Sequence, residues 1–354
     1  MEYRNIIVQE DMGSLLEYGI PLEKLKDKKV LITGANGMLA TYLAYFFMYL
    51  NRSRNWGIQV TALSRSAEKA EKRFGEFEDD TQFNMLIQDV CDEIRMDGNL
   101  DYIIHAAGDA SPYAILNDPA GIVKANTAGT LNILELARRK GAKILYTSTR
   151  EVYGKAAPGL EEIRETDFGS LDPMEQRACY PESKRMAETM IQSYYHQYGV
   201  EASVVRIAHS YGPGMNIEND GRVMADFISD VVHGRNIVLK STGDAVRAFC
   251  YITDAVAGML FAMLSEGGLS VYNVANETEE YPIRDVAETL VSLFPEKGLK
   301  VVFDIPETMS AGYSRMGRVR LCTRKISDLG WKPRTPLAEG MKRTVESFGR
   351  QQMV

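Results

Sequence analysis

Two side chains four residues apart, Tyr180 and Lys184, carry the strongest chemical signal in the chain. On a helix that spacing places them one turn apart on the same face. An ammonium beside a phenol favours the phenolate, so the tyrosine pKa is expected to fall toward a working range. Tyr180 could then exchange a proton with a hydroxyl while a hydride moves at the adjoining carbon. Tyr-x-x-x-Lys alone also occurs on helices that do no chemistry. Here it follows Ser148-Thr149 at the end of an apolar strand, where the Thr149 hydroxyl could reach the same oxygen, and a glycine loop far upstream.

That loop, Thr33-Gly34-Ala35-Asn36-Gly37-Met38-Leu39-Ala40, comes directly after the apolar run that begins at Lys29. Glycines allow a tight turn and a close approach to a pyrophosphate, and Ala40 lets the next helix pack on the strand. The phosphates then meet the free N–H groups at the positive end of the helix. Gly34, Asn36, Gly37, Met38 and Leu39 are therefore expected against a dinucleotide. The second strand ends Leu63-Ser64-Arg65-Ser66, with no acid to hold a ribose 2′-hydroxyl. Ser64 and Arg65 suit a 2′-phosphate instead, which favours NADP(H) over NAD(H). Asp89, with Val90, is expected at the adenine edge. Ala106, Ala107 and Gly108, following His105 at another strand end, are expected beside the cofactor.

An α/β frame has to carry these groups. Apolar runs recur at Gln59–Leu63, Met85–Ile87, Tyr102–His105, Lys143–Tyr146 and Ala202–Ile207, with helical stretches such as Ala128–Arg139 and Ser183–Tyr198 among them. Strands alternating with helices call for βαβ units, and near-continuous apolar runs for strands covered on both faces. The expected fold is α/β, a Rossmann doubly wound parallel sheet with a smaller carboxy-terminal substrate-binding lobe. Its dinucleotide-binding part spans 28–210 with return segments near 248–275; the lobe takes 211–247 and 276–354. Residues 1–27 form a mixed-charge leader, with one helix around Leu15 and no evident tie to function.

Composition excludes several classes. A net charge of −7 over 354 residues argues against nucleic-acid and anionic-membrane partners. Four cysteines without a C-x-x-C pair point to reduced thiols in the cytoplasm rather than to a metal or disulfide framework. His105, His196, His209 and His233 are too scattered for a metal set, and only His209 is expected near substrate. The amino terminus lacks a signal-peptide profile, and no run is long enough to span a membrane.

Taken in order, the motifs resemble the extended short-chain dehydrogenase/reductase family of nucleotide-sugar epimerases, dehydratases and reductases. The resemblance covers about residues 28–348. It includes the glycine loop, Asn126-Thr-Ala-Gly-Thr130, Glu151-Val-Tyr-Gly154, Tyr211-Gly-Pro213, Arg247-Ala-Phe-Cys-Tyr-Ile-Thr-Asp254 and Leu329-Gly-Trp331. Arg177-Ala-Cys-Tyr180 and Asp220-Gly-Arg-Val223 look most like UDP-glucuronate decarboxylases. The resemblance implies a catalytic group of Thr149, Tyr180 and Lys184, with Glu151 near the sugar as a second base. Asn126 would join the cofactor site and Ser111 the substrate site, while Arg222 and Arg247 would hold a substrate diphosphate. Homodimers through the helices bearing Tyr180 and starting near Ala128 are also implied. Three positions depart from the decarboxylase pattern: Arg150 replaces a small Ser, His209 stands near the place of an Asn, and Lys240 takes the place of a base-stacking aromatic.

Three functions fit. One is a net oxidoreductase on a sugar nucleotide, which the Ser64-Arg65 pair favours. Another is an internally redox-balanced epimerase, dehydratase or decarboxylase, which Glu151 favours because a carboxylate can take a proton next to a ketone. A non-catalytic dinucleotide sensor would not need the Thr149, Tyr180 and Lys184 set. Arg150 has two readings, holding a substrate anion or neutralising Glu151.

Overall fold

Seven apolar runs form the strands of one sheet in the computed structural model, which describes residues 1–218, 220–305 and 319–349. They are β1 (Lys29–Thr33), β2 (Gln59–Ser64), β3 (Phe83–Ile87), β4 (Tyr102–His105), β5 (Lys143–Thr149), β6 (Ala202–Ile207) and β7 (Leu269–Val274). Every pairing is parallel, in the order β7-β6-β5-β4-β1-β2-β3. The order reverses beside β1, between β4 and β2, and Thr33 at its end aligns with His105 and Leu63. An open α/β sheet leaves a crevice at the carboxyl ends of its strands at such a point.

The helices explain how the leader is used. Helix α1 (Ile6–Leu15) lies against α2 (Met38–Arg54), whose residues from Ala40 to Met48 are all buried, Tyr42, Phe46 and Phe47 among them. A helix apolar all round must be covered on every side. The leader supplies one of those covers, with Val8, Met12 and Leu15 fully buried. It is therefore part of the core rather than an appendage. Asp11, 2% exposed, accepts hydrogen bonds from Tyr42 at 2.8 Å, Tyr251 at 2.8 Å and Arg343 at 2.7 Å.

Beyond α3 (Ala67–Phe74), α4 (Thr130–Lys140) and α5 (Cys179–Tyr198), the chain builds a second group of elements. These are α6 (Val223–Val232), α7 (Ile252–Leu264), α8 (Ile283–Ser292) and α9 (Leu337–Glu346), with short strand pairs between them. Helix α7 is buried along its whole length and packs on β5, β6 and β7. Its Asp254 accepts from the Tyr18 hydroxyl at 2.6 Å and the Arg334 amide at 2.6 Å. The leader thus touches both groups of elements. Among the described residues no helix is long and apolar enough to cross a membrane.

Candidate active site

A cleft of about 2150 Å³ opens along the carboxyl ends of the central strands. That exceeds the roughly 300–1,000 Å³ of a site for one small ligand and leaves room for two nucleotides end to end. The glycine loop forms one end, with Gly34, Asn36, Gly37, Met38 and Leu39 all on its wall. Gly34 has φ 64°, and a Cβ there would stand 2.7 Å from the Ala106 carbonyl oxygen. Only glycine lets the loop lie this close to the end of β4. Ala106, Ala107 and Gly108 continue the wall, with Asp89 and the buried Val90 opposite.

Two buried acceptors bear on what this end holds. The side-chain oxygens of Asn36 and Asn126 have no hydrogen-bond partner among the described residues. Asn126 sits behind Gly108 on a wide helical turn, Ala125–Gly129, and its Nδ2 donates to Ser183 at 2.9 Å. A buried acceptor without a donor is costly, so each calls for an incoming donor. The hydroxyls and carboxamide of a nicotinamide dinucleotide are such donors, and the chain fits that cofactor.

Where the 2′-position of the adenosine would lie, the two expected residues differ. Ser64 is buried; its hydroxyl accepts from Asn36 Nδ2 at 2.5 Å and from the Ser66 amide at 3.2 Å. It ties the glycine loop to the end of β2. Arg65 is exposed on the rim, joined there by Lys69 and Lys72 from α3. Sequence reasoning passed over these two lysines, although their spacing of three puts them on one helix face.

At the centre, β5 delivers Thr149 and the first turn of α5 delivers Tyr180. Thr149 sits beside the Tyr180 phenol and opposes the rise of its pKa, while its hydroxyl accepts from the Glu151 amide at 3.2 Å. Lys184, one turn on and 3% exposed, donates from Nζ to the Thr147 carbonyl at 2.8 Å and lies 4.7 Å from the centre of the Tyr146 ring. The expected fall in the tyrosine pKa is not what the isolated chain gives. Burial, reinforced by the Glu151 charge, pushes the Tyr180 phenol up, and burial also brings the Lys184 amine down to about 7. Removal from water penalises both charged forms.

This burial has a measurable consequence. The folded-state value of Lys184 lies below its ordinary value, so the penalty on folding is full below about pH 7 and fades as pH rises to about 10.4. Lys184→Met should abolish turnover yet raise unfolding free energy by about 1–4 kcal/mol at pH 7, a gain that shrinks by pH 9.5. Denaturant titrations at the two pH values test this, and a variant less stable than wild type at pH 7 would overturn it.

Glu151 lies 2.8 Å from Arg177, both half-buried. Its counter-charge therefore comes from a residue 26 positions downstream. Arg222 grips Asp220 with two hydrogen bonds, at 2.5 and 2.8 Å, and its charge reaches the Tyr180 phenol. Ser111 is buried in the wall, where its hydroxyl caps a short helix at the Ala114 amide. Arg247 lines the far wall, as do Arg150 and His209. Lys240 does not join them. It follows the strand Ile237–Leu239, which pairs with Val301–Phe303 and buries Ile237 and Leu239, and is itself exposed and not on the cleft wall.

One supporting network was missed. Glu188 accepts from Ser148 at 2.5 Å and from Arg206 at 2.6 and 3.1 Å, pinning the end of β5. Glu188 follows Lys184 by four residues, so the helical period that pairs Tyr180 with Lys184 also reaches it.

Comparison with known proteins agrees with this geometry. Residues 30–275 match the family described as NAD dependent epimerase/dehydratase. The chain belongs to that family, and it is an enzyme of the extended short-chain dehydrogenase/reductase type. Among its relatives, UDP-glucuronic acid decarboxylase 6 of Arabidopsis thaliana is 33% identical over 322 residues, covering 90% of this chain and 88% of the relative. UDP-glucuronic acid decarboxylase 1 of Danio rerio is 34% identical over 324 residues, covering 92% and 73%. The fold is shared with UDP-glucose 4-epimerase of Thermotoga maritima, solved with UDP-glucose (TM-score 0.73, 23% identity, 90% and 98% covered). It is also shared with UDP-glucuronic acid 4-epimerase of Bacillus cereus in complex with NAD (TM-score 0.72, 18% identity, 92% and 98% covered).

Proposed function

We propose that this chain converts a nucleotide-linked sugar through a ketone intermediate and ends with no net redox change. The observation that carries this is Glu151, anchored by Arg177 at 2.8 Å and near enough for its charge to act on the Tyr180 phenol. A net reduction needs one proton donor, and Tyr180 suffices. Chemistry on the carbon next to a ketone uses a second acid/base group, to take the proton of that carbon or to return one to the enolate left when CO2 departs, and a carboxylate at the sugar is one. The relatives support the same choice, since their names describe decarboxylation and epimerisation. The net oxidoreductase is therefore the weaker alternative.

The dinucleotide, when bound, supplies the hydride acceptor and donor. Tyr180 takes the proton from a sugar hydroxyl and later returns it, while Thr149 holds the phenol in place. Lys184 charges more readily beside an anionic ligand and then favours the phenolate. Glu151 handles the proton on the carbon beside the ketone. Arg222 and Arg247 are the arginines on the cleft wall suited to a substrate diphosphate, and Ser111 lies on the same wall. The elements of 211–247 and of the chain from 276 on form the substrate-binding side, while α7 and β7 return to the sheet.

For the cofactor, Arg65, Lys69 and Lys72 at the rim support NADP(H) over NAD(H), and NADP should bind about tenfold tighter. Tighter binding of NAD would remove that preference without touching the reaction type. Leu131 on α4 and Met186 on α5 are exposed apolar side chains, in keeping with a homodimer through these helices. Four free thiols suit a reducing cytoplasm.

The deciding experiment follows the nicotinamide absorbance while sugar nucleotides are offered with a stoichiometric amount of reduced or oxidised cofactor. Product should accumulate well beyond any net absorbance change. Consumption of cofactor in step with product would overturn the internal cycle.

A further inference from the structure

Two of the three positions that set this chain apart from the decarboxylase pattern meet in the cleft. Arg150 and His209 lie 59 residues apart in sequence, yet Nη1 of the arginine approaches Nε2 of the histidine at 3.3 Å. A guanidinium can only donate, so Nε2 accepts, and the neutral imidazole keeps its proton on Nδ1. His209 is also held in a conformation that few such residues adopt, with φ 46°. Its carbonyl accepts from the Cys250 amide at 3.2 Å, and its ring packs against Phe249 with centres 5.9 Å apart. A strained residue in a site wall is a candidate for a task there. Arg150 in turn follows Thr149 in the chain, and Thr149 lies beside the Tyr180 phenol. The Arg150 backbone therefore starts close to the reacting hydroxyl, and the second nitrogen of its fork, Nη2, reaches the Val319 carbonyl at 3.4 Å.

We propose that Arg150 binds a carboxylate carried by the sugar of the substrate, and that His209 is the positioning residue that aims it. This rests on the cleft taking a nucleotide sugar, as argued above. The guanidinium suits the assignment because its donors lie in one plane and meet both oxygens of a carboxylate side by side. An ammonium offers no such match. The two departures from the decarboxylase pattern are then one device, since residue 209 supplies a contact that aims residue 150. Because Glu151 is countered by Arg177, an acidic sugar does not meet an uncompensated carboxylate at that point.

The test uses the full chain loaded with dinucleotide, with UDP-glucuronate and UDP-glucose as probes, and reads the ratio of their dissociation constants by calorimetry. Wild type should prefer the acidic sugar by about tenfold or more, equivalent to about 1.4 kcal/mol. Arg150→Ser should bring the ratio close to one, and Arg150→Lys should keep only part of the preference. His209→Asn, which tolerates the left-handed backbone but is too short to reach the guanidinium, should lower the preference. His209→Gln, with a longer acceptor, should recover part of it. A ratio near one in wild type, or a preference untouched by either Arg150 variant, overturns the clamp while leaving the sugar-nucleotide cleft intact. Failure of both probes to bind would instead overturn the reading of the cleft, and the clamp with it. Should Arg150→Ser fail to fold, the Arg150→Lys and His209 variants still decide.

Discussion

Tyr180→Phe is expected to turn over its substrate about 10²–10⁴-fold more slowly than wild type while binding the dinucleotide equally well. The substitution removes one oxygen from a side chain that is otherwise buried, so the helix and the neighbouring Cys179 and Ser183 keep their packing. What is lost is the phenol that lies beside Thr149 at the end of β5. Dinucleotide affinity rests on other groups, chiefly the glycine loop and the two asparagine acceptors, so it should change little. Single-turnover rates and direct cofactor titration separate the two effects. Activity within a few fold of wild type would show that another group handles the hydroxyl proton, and Glu151 would then be the first to examine.

The second large effect lies far from the chemistry. Asp11→Ala should lower the unfolding free energy by about 3–5 kcal/mol, because it strands the Arg343 guanidinium and takes the acceptor from Tyr42 and Tyr251. Burial pushes the Asp11 carboxyl up, although Arg343 and both phenols favour its charge. Part of the native interaction therefore goes to offset desolvation. Asp11→Asn should cost less than Ala, since it keeps an acceptor and sheds the buried charge. Denaturant midpoints for the two variants measure the difference, and an Ala variant within 1 kcal/mol of wild type would contradict the assigned role.

Much of the fold and the centre of the site could be read from residue order. Each strand of the sheet up to β6 appears as an apolar run, and Tyr180, Lys184 and the glycine loop stand out by spacing. The helix bearing Tyr180 begins at Cys179 rather than Ser183, so the pair lies in its first turns. Other features were hidden for physical reasons. The leader looked detached because its charged residues dominate a one-dimensional view, whereas only the fold pairs Asp11 with partners as far away as Arg343. A clue did exist: α2 is too apolar to face water on any side, so some other segment had to cover it. Lys240 was placed by position in a motif, but a two-strand pairing decides where that stretch turns. The pKa directions were not legible at all, since they follow from burial, and spacing carries no information about burial.

The Asp11 junction also bears on how the protein is made. It ties the first helix of the chain to the last described one, with Asp11 and Arg343 separated by 332 positions. Contacts so distant in sequence close late, after the loops between them have been paid for in entropy. Helix α2, close to the amino terminus, packs on α7 as well as on α1, so it lacks its full cover while the chain is still being synthesised, and its tyrosines and phenylalanines stay open to wrong partners until α7 arrives. Pulsed hydrogen exchange during refolding should find the amides of α2 protected only when those of α7 are. Early protection of α2 alone would show that the leader seals it without help from α7.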